Sequence, residues 1–140
     1  MKPYEHKVQY YETDKMGIVH HSNYIRWMEE ARVDFLEQIG WGVDRLEQAG
    51  MVSPVTGVEC KYKVSTKFPE RIRIRVEIEE FRGVKLKFKY AMYKEDGTLA
   101  CEGRSEHGFL DKDGKIISVK KEFPECYEAM LTWAENKQKD

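Results

Sequence analysis

RIRIRVEIEEFRGVKLKFKYAM, residues 71–92, reads as two strands joined by a tight turn. Ile72, Ile74, Val76 and Ile78 alternate with charged residues, the period of a half-buried strand. Val84, Leu86, Phe88, Tyr90 and Met92 repeat the alternation. Both apolar sets are even-numbered, so even must pair with even if both are to face one core. A three-residue loop of Phe81, Arg82 and Gly83 meets that condition, with Gly83 in the left-handed position of a bulged hairpin. This register sets Ile78 opposite Leu86 and Val76 opposite Phe88. On the outer face it sets Glu79 against Lys85 and Glu77 against Lys87, opposite charges that support it.

Downstream, a turn at residues 94–97 leads to a strand over residues 99–110. Its small and apolar side chains Leu99, Cys101, Gly103 and Phe109 are odd-numbered, and pairing Met92 with Leu99 keeps both on the core face. His107 shares that parity and reads as a half-buried, hydrogen-bonded histidine. Another turn occupies residues 111–114. A second helix starts at Pro124, a residue suited to the first turn, and runs to about residue 135 with Tyr127, Met130, Leu131 and Ala134 as its stripe. The charged tail, residues 135–140, reads as frayed. Residues 4–11 and 55–64 read as two further strands.

Upstream lies the long helix. Tyr24, Trp27, Met28, Ala31, Phe35 and Ile39 fall at the i, i+3, i+4, i+7 spacing of one buried stripe. Ser22 or Asn23 can cap its start and Gly40 its end. Glu29 and Glu30 read as a solvated helix edge. The order of elements gives an α+β domain, with one curved antiparallel sheet covering one long helix. A single domain spans residues 1–140.

Charged residues make up 35% of the chain and nearly cancel, with a net charge of −1. That balance argues against nucleic acid as a partner, even though Arg71, Arg73, Arg75, Lys85, Lys87 and Lys89 share an outer sheet face. Three widely spaced cysteines, Cys60, Cys101 and Cys126, suit neither a disulfide framework nor a zinc site. The first 14 residues lack the apolar run of a signal peptide, and no apolar stretch approaches the ~20 residues that span a bilayer. The expectation is a cytoplasmic protein without membrane insertion.

The chemistry concentrates in YYETDKMGIVHHSNYIRWMEEAR, residues 10–32, where a strand end passes through a loop into the long helix. Asp14 stands before a helix start, and Gly17 allows a tight turn and close approach to a ligand. The N–H groups around His20 and His21 lack helical acceptors, and the positive end of the helix dipole favours negative charge there. Such donors can hold a developing oxyanion, and a carboxylate beside them can act as nucleophile or general base. Adjacent side chains point in different directions, so His20 and His21 do not make the paired imidazoles of a metal site. No metal is expected.

Here the chain resembles the hotdog-fold acyl-CoA thioesterases, specifically the 4-hydroxybenzoyl-CoA thioesterase-like family. Tyr11, Glu12, Thr13 and Asp14, then Gly17, Val19, His21, Tyr24 and Glu30, Ala31, Arg32, carry the resemblance. It implies a hotdog fold, with five to six antiparallel strands around one long central helix. It implies a homodimer joined edge to edge, commonly paired again as a homotetramer, with active sites at the dimer interface. It implies hydrolysis of acyl-CoA without a cofactor. Asp14 would be the catalytic carboxylate, and the His21 N–H would polarise the thioester carbonyl, with the His21 side chain assisting. Gly17, His20 and Tyr24 would border the substrate. Arg82 and Lys85 would meet the phosphates of coenzyme A, and Val84 its pantetheine arm. His20 stands where the family often has an aromatic residue, and Gly83 where it can have a basic one. A hydratase or dehydratase on acyl thioesters, or a non-catalytic acyl-CoA-binding module, are the alternative readings.

Overall fold

The computed structural model describes residues 1–136. Residues 137–140 of the charged tail lie outside the described residues. Five strands form the main sheet: β1 (Tyr4–Lys7), β3 (Val55–Tyr62), β4 (Arg71–Phe81), β5 (Leu86–Lys94) and β6 (Leu99–His107). Their order is β1-β4-β5-β6-β3, and every pairing is antiparallel. β2 (Met51–Val52) and β7 (Leu110–Asp111) make a separate two-stranded ladder. Four helices accompany them: α1 (Ser22–Gln38), α2 (Val43–Gln48), α3 (Val119–Glu122) and α4 (Pro124–Asn136). The α+β class is as expected, but helix content is not confined to one long element.

The apolar alternation places Ile72, Ile74, Ile78, Phe88, Tyr90 and Met92 at 2% exposure or less. Against them α1 lays Trp27, Met28, Ala31 and Phe35, all buried. Fully burying each large side chain is worth about 1.5–3 kcal/mol, which makes this contact the principal apolar source of stability. Gly103 on β6 brings the helix close, since a Cβ there would stand 2.9 Å from Met28 Sδ. Gly40, at φ +88°, ends α1 as anticipated. Its N–H reaches the Glu37 carbonyl and the Trp41 N–H reaches Leu36, the paired bonds of a Schellman motif.

The hairpin differs from expectation by two residues. Ile78 faces Phe88 and Val76 faces Tyr90, not Leu86 and Phe88. The loop, residues 82–85, moves the register by three, so that Phe81 faces Leu86 and Glu80 faces Lys87, and a bulge at Glu79 takes one back. Parity survives, because a shift by two keeps every side chain on its face. The loop therefore has four residues, closed by the Arg82 N–H on the Lys85 carbonyl at 3.0 Å, with Gly83 at φ +86°. Glu77 meets Lys89 rather than Lys87, and Glu79 binds Arg104 rather than Lys85. A second irregularity after Met92 sets it against Cys101 and moves Leu99 to Tyr93.

Other boundaries moved as well. The first strand stops at Lys7, where the Val8 N–H bonds the Glu70 carbonyl, and a 3-10 turn follows at Tyr10–Glu12. The strand after the turn at residues 94–97 ends at His107, because β7 leaves to pair with β2. α2, β2 and α3 carry too few residues to show a period, and the sequence reading missed them.

Candidate active site

The loop before α1 is built on Glu12. Its carboxylate is buried at 5% exposure and accepts from the Gln9 N–H at 2.7 Å, from Trp27 Nε1 at 2.7 Å and from His6 Nε2 at 2.8 Å. Burial pushes this carboxyl up, but the bonds from Gln9, His6 and Trp27 outweigh it and hold the group below the usual carboxylate range. The Glu12 carbonyl accepts from the His20 N–H at 2.9 Å and from Asn23 Nδ2 at 3.0 Å. One residue thus ties the core of α1, the end of β1 and the helix entrance together.

Residues 13–19 form a small closed loop on that anchor. Thr13 bridges Val19, the Asp14 N–H bonds the Ile18 carbonyl at 2.8 Å, and Gly17 turns the chain at φ +79°. Asp14 Oδ1 accepts from the Met16 N–H at 2.8 Å. Its other oxygen has no partner among the described residues. The Val19 N–H is held by the carbonyl of Thr66, whose hydroxyl shares a 2.7 Å bond with the buried Tyr24 phenol.

The helix entrance departs from the expected capping. Neither Ser22 nor Asn23 caps α1; the N-cap residue is His21, with φ −55° and ψ −30° and no side-chain cap bond. Ser22 is occupied by His20, whose Nδ1 meets Ser22 Oγ at 2.9 Å and accepts the Ser22 N–H at 3.2 Å. That acceptor role places the His20 proton on Nε2. The His21 N–H has no acceptor among the described residues. The two imidazoles do not diverge: their rings stack at 4.2 Å and 30°, because Ser22 draws His20 back over the helix start.

Asp14, Val19, His21, Tyr24, Tyr62 and Ser65 line one pocket of about 290 Å³. Tyr62, on β3, donates to the His21 carbonyl at 3.2 Å and packs edge-on against Tyr24. Its phenol is pushed up to about 12, first by burial and then by the Cys60 thiol. Asp14 and His20 also open a larger groove of about 980 Å³ along the outer side of α1. Among the described residues, no group of three or more His, Cys, Asp or Glu is arranged to hold a metal ion.

Asp14, Gly17, His20, His21 and Tyr24 thus stand together. Arg82, Val84 and Lys85 do not join them. β4 starts beside the end of β1 and finishes at Phe81, so its length separates the two groups by about 30 Å. Arg82 is paired with Glu80 at 2.5 Å, Lys85 lies 3.7 Å from Glu106, and Val84 is 49% exposed. Sequence reasoning left Glu12, Thr66 and Tyr62 without roles. A signal for Glu12 existed: a Trp on a buried stripe needs an acceptor for its indole N–H.

The sequence profile of the thioesterase-like superfamily matches residues 8–133. The chain belongs to this superfamily. It is 35% identical over 126 residues, 89% of this chain and 91% of the relative, to YneP of Bacillus subtilis, provisionally named an acyl-CoA thioesterase. It is 26% identical over 96 residues to the acyl-CoA thioester hydrolase YbgC of Escherichia coli, covering 69% of this chain and 72% of that one. The crystal structure of a DHNA-CoA thioesterase from Staphylococcus aureus superposes with a TM-score of 0.92 at 32% identity, covering 99% of this chain and 93% of that one. The Staphylococcus aureus structure shares the chain's architecture over almost its whole length. Among the described residues, no helix is long and apolar enough to cross a membrane.

Proposed function

We propose that this protein hydrolyses acyl-CoA thioesters to a free acid and coenzyme A. The observation that carries the reading is the pocket shared by Asp14 and the start of α1. Asp14, with one carboxylate oxygen unengaged, and His21, whose backbone N–H has no acceptor among the described residues, line the same space. The thioester carbonyl oxygen points at the His21 N–H, where the helix dipole stabilises the charge that develops on it. Asp14 attacks the carbonyl carbon to give a mixed anhydride, or removes a proton from the attacking water. The His21 imidazole stands at the mouth, and Gly17, His20 and Tyr24 border the acyl group.

Membership of the superfamily and the names of the relatives support the substrate class. They also support the hotdog arrangement, with α1 as the central helix. The edge strand β3 exposes Val55, Val58 and Tyr62, an apolar row suited to edge-to-edge pairing with a second copy. We infer a homodimer through β3, assembled further as a homotetramer in the cytoplasm. In it Arg82, Val84 and Lys85 would serve the active site of another copy, since about 30 Å separates them from Asp14 within one chain.

A hydratase needs an imidazole and a carboxylate converging on the acyl chain. The His6–Glu12 pair converges, but Glu12 is 5% exposed and already accepts three bonds. That favours hydrolysis. The test is single-turnover reaction with acyl-CoA in heavy-oxygen water. One turnover consumes one water: label in the Asp14 carboxylate supports an anhydride opened at the aspartyl carbon, and label in the product acid alone supports direct attack by water or an anhydride opened at the acyl carbon. Asp14→Asn lowers kcat by about 10²–10⁴, the usual weight of such a group. Full activity in that variant removes Asp14 from the mechanism, and tight coenzyme A binding without thiol release makes the chain a binding module.

A further inference from the structure

Tyr62 ends β3, opposite Cys101 on β6, and its ring leaves the sheet toward the start of α1. There it packs edge-on against Tyr24, with centroids 5.1 Å apart, and against His21 at 6.3 Å. Its hydroxyl donates to the His21 carbonyl at 3.2 Å. The Cys60 thiol adjoins the same phenol, but sulfur is a weak acceptor, so the carbonyl takes the proton. Burial, then that thiol, pushes the phenol up to about 12, which keeps it a donor at neutral pH.

His21 depends on such support, since it starts α1 without a side-chain cap bond. The peptide that carries its N–H is held on one side by Asn23. The His20 carbonyl accepts from the Asn23 N–H at 3.0 Å and from Asn23 Nδ2 at 3.3 Å. On the other side, among the described residues, the helix offers the His21 carbonyl the Tyr24 N–H, at a long 3.3 Å. The Tyr62 phenol adds a second bond, and a carbonyl oxygen has a lone pair for each. Asn23 belongs to α1 itself, whereas Tyr62 lies 41 residues beyond His21 and ties the helix start to the sheet.

We propose that Tyr62 is a positioning residue for thioester hydrolysis, holding His21 so that its N–H meets the oxygen of the reacting carbonyl. The inference rests on the hydrolase reading and deepens it. An oxyanion donor acts only when it stands about 2.7–3.1 Å from the charged oxygen, so a helix start that drifts loses part of its effect. Tyr62 borders the same pocket as Asp14 and His21, but its hydroxyl is engaged on the His21 carbonyl. It therefore acts through His21 and not on the substrate.

The test compares the full chain with Tyr62→Phe, which keeps the ring and loses the hydroxyl. Thiol release is followed with acetyl-, octanoyl- and benzoyl-CoA, and the His21 carbonyl carbon by NMR. That resonance is expected to move on loss of its donor. The variant's kcat is expected to fall about three- to tenfold with KM within about twofold, the split of an interaction that matters in the transition state. Combining Tyr62→Phe with His21→Pro separates positioning from packing. Proline removes the N–H that Tyr62 serves, so in that background loss of the hydroxyl is expected to change kcat by less than about twofold. An equal loss in both backgrounds overturns the proposal, because Tyr62 would then act on the substrate or on the fold. Tyr62→Met, also without a donor, gives the same readings should the phenylalanine variant fail to fold. Thiol release with an unmoved carbonyl resonance or an unchanged kcat in the variant sinks the role of Tyr62 and leaves the hydrolase reading. An unsubstituted chain that releases no thiol from any of the three sinks the hydrolase reading, and the role of Tyr62 with it.

Discussion

At residue scale, backbone and side chain of His21 can be tested apart. Its φ of −55° is one that proline adopts, and its N–H has no acceptor among the described residues. His21→Pro is therefore expected to keep the fold and lower kcat by about 10²–10³, as loss of one oxyanion donor does. His21→Ala, which retains the N–H, is expected to lose less than about tenfold. Equal losses in the two variants, measured by thiol release alongside thermal unfolding, would place the effect in the imidazole. Glu12 belongs to a different class. Removing its carboxylate strands His6, Trp27 and the Gln9 N–H, so Glu12→Ala is expected to cost about 3–5 kcal/mol in urea unfolding. The pH dependence has a definite sign. The folded carboxyl titrates below its unfolded value, near 4.3, so its contribution is fully present above about pH 4.3 and is lost as pH falls through the folded value. A stability gap between Glu12→Ala and the parent that does not narrow in acid would contradict this.

At the scale of elements, α1 and β6 meet over a glycine. A Cβ at Gly103 would stand 2.9 Å from Met28 Sδ and 3.2 Å from the Glu59 carbonyl oxygen. The methionine can turn aside, but the strand carbonyl is fixed by its ladder. Gly103→Val is expected to lower stability by about 1–3 kcal/mol, read as a lower urea midpoint at unchanged slope. The hairpin of β4 and β5 shows what pattern reading can and cannot see. Alternation of Ile72 to Ile78 with Leu86 to Met92 identifies the buried face, because polar and apolar residues partition to opposite sides whatever the register. The four-residue loop and the bulge at Glu79 together leave that partition intact, so no pattern in the sequence reports them. The capping of α1 was misread for a related reason. Ser22 is a good cap by type, yet it bonds His20, and a competing partner two residues away is a matter of conformation.

At the scale of the whole molecule, β3 is the exposed element. It has one neighbour, β6, and its free edge carries the apolar side chains Val55, Val58 and Tyr62. Long unprotected edges invite pairing with another chain, and lysine is a common means of blocking it. Replacing Val55 and Val58 together by Lys is expected to shift the protein to monomer in sedimentation, and to lower thiol release if sites form between copies. A variant that stays dimeric would move the interface away from β3. The sequence alone determined the α+β class, the buried faces of α1, β4 and β5, and the candidate loop around Asp14 and Gly17. Those follow from local periodicity, turn chemistry and a short motif, all written in neighbouring residues. Only the tertiary structure decided that Glu12 anchors that loop, that Asp14 and His21 share a pocket, and that Arg82 and Lys85 stand far from both. These depend on distances between segments widely separated along the chain, set by bulges, strand lengths and side-chain partners that no local pattern encodes.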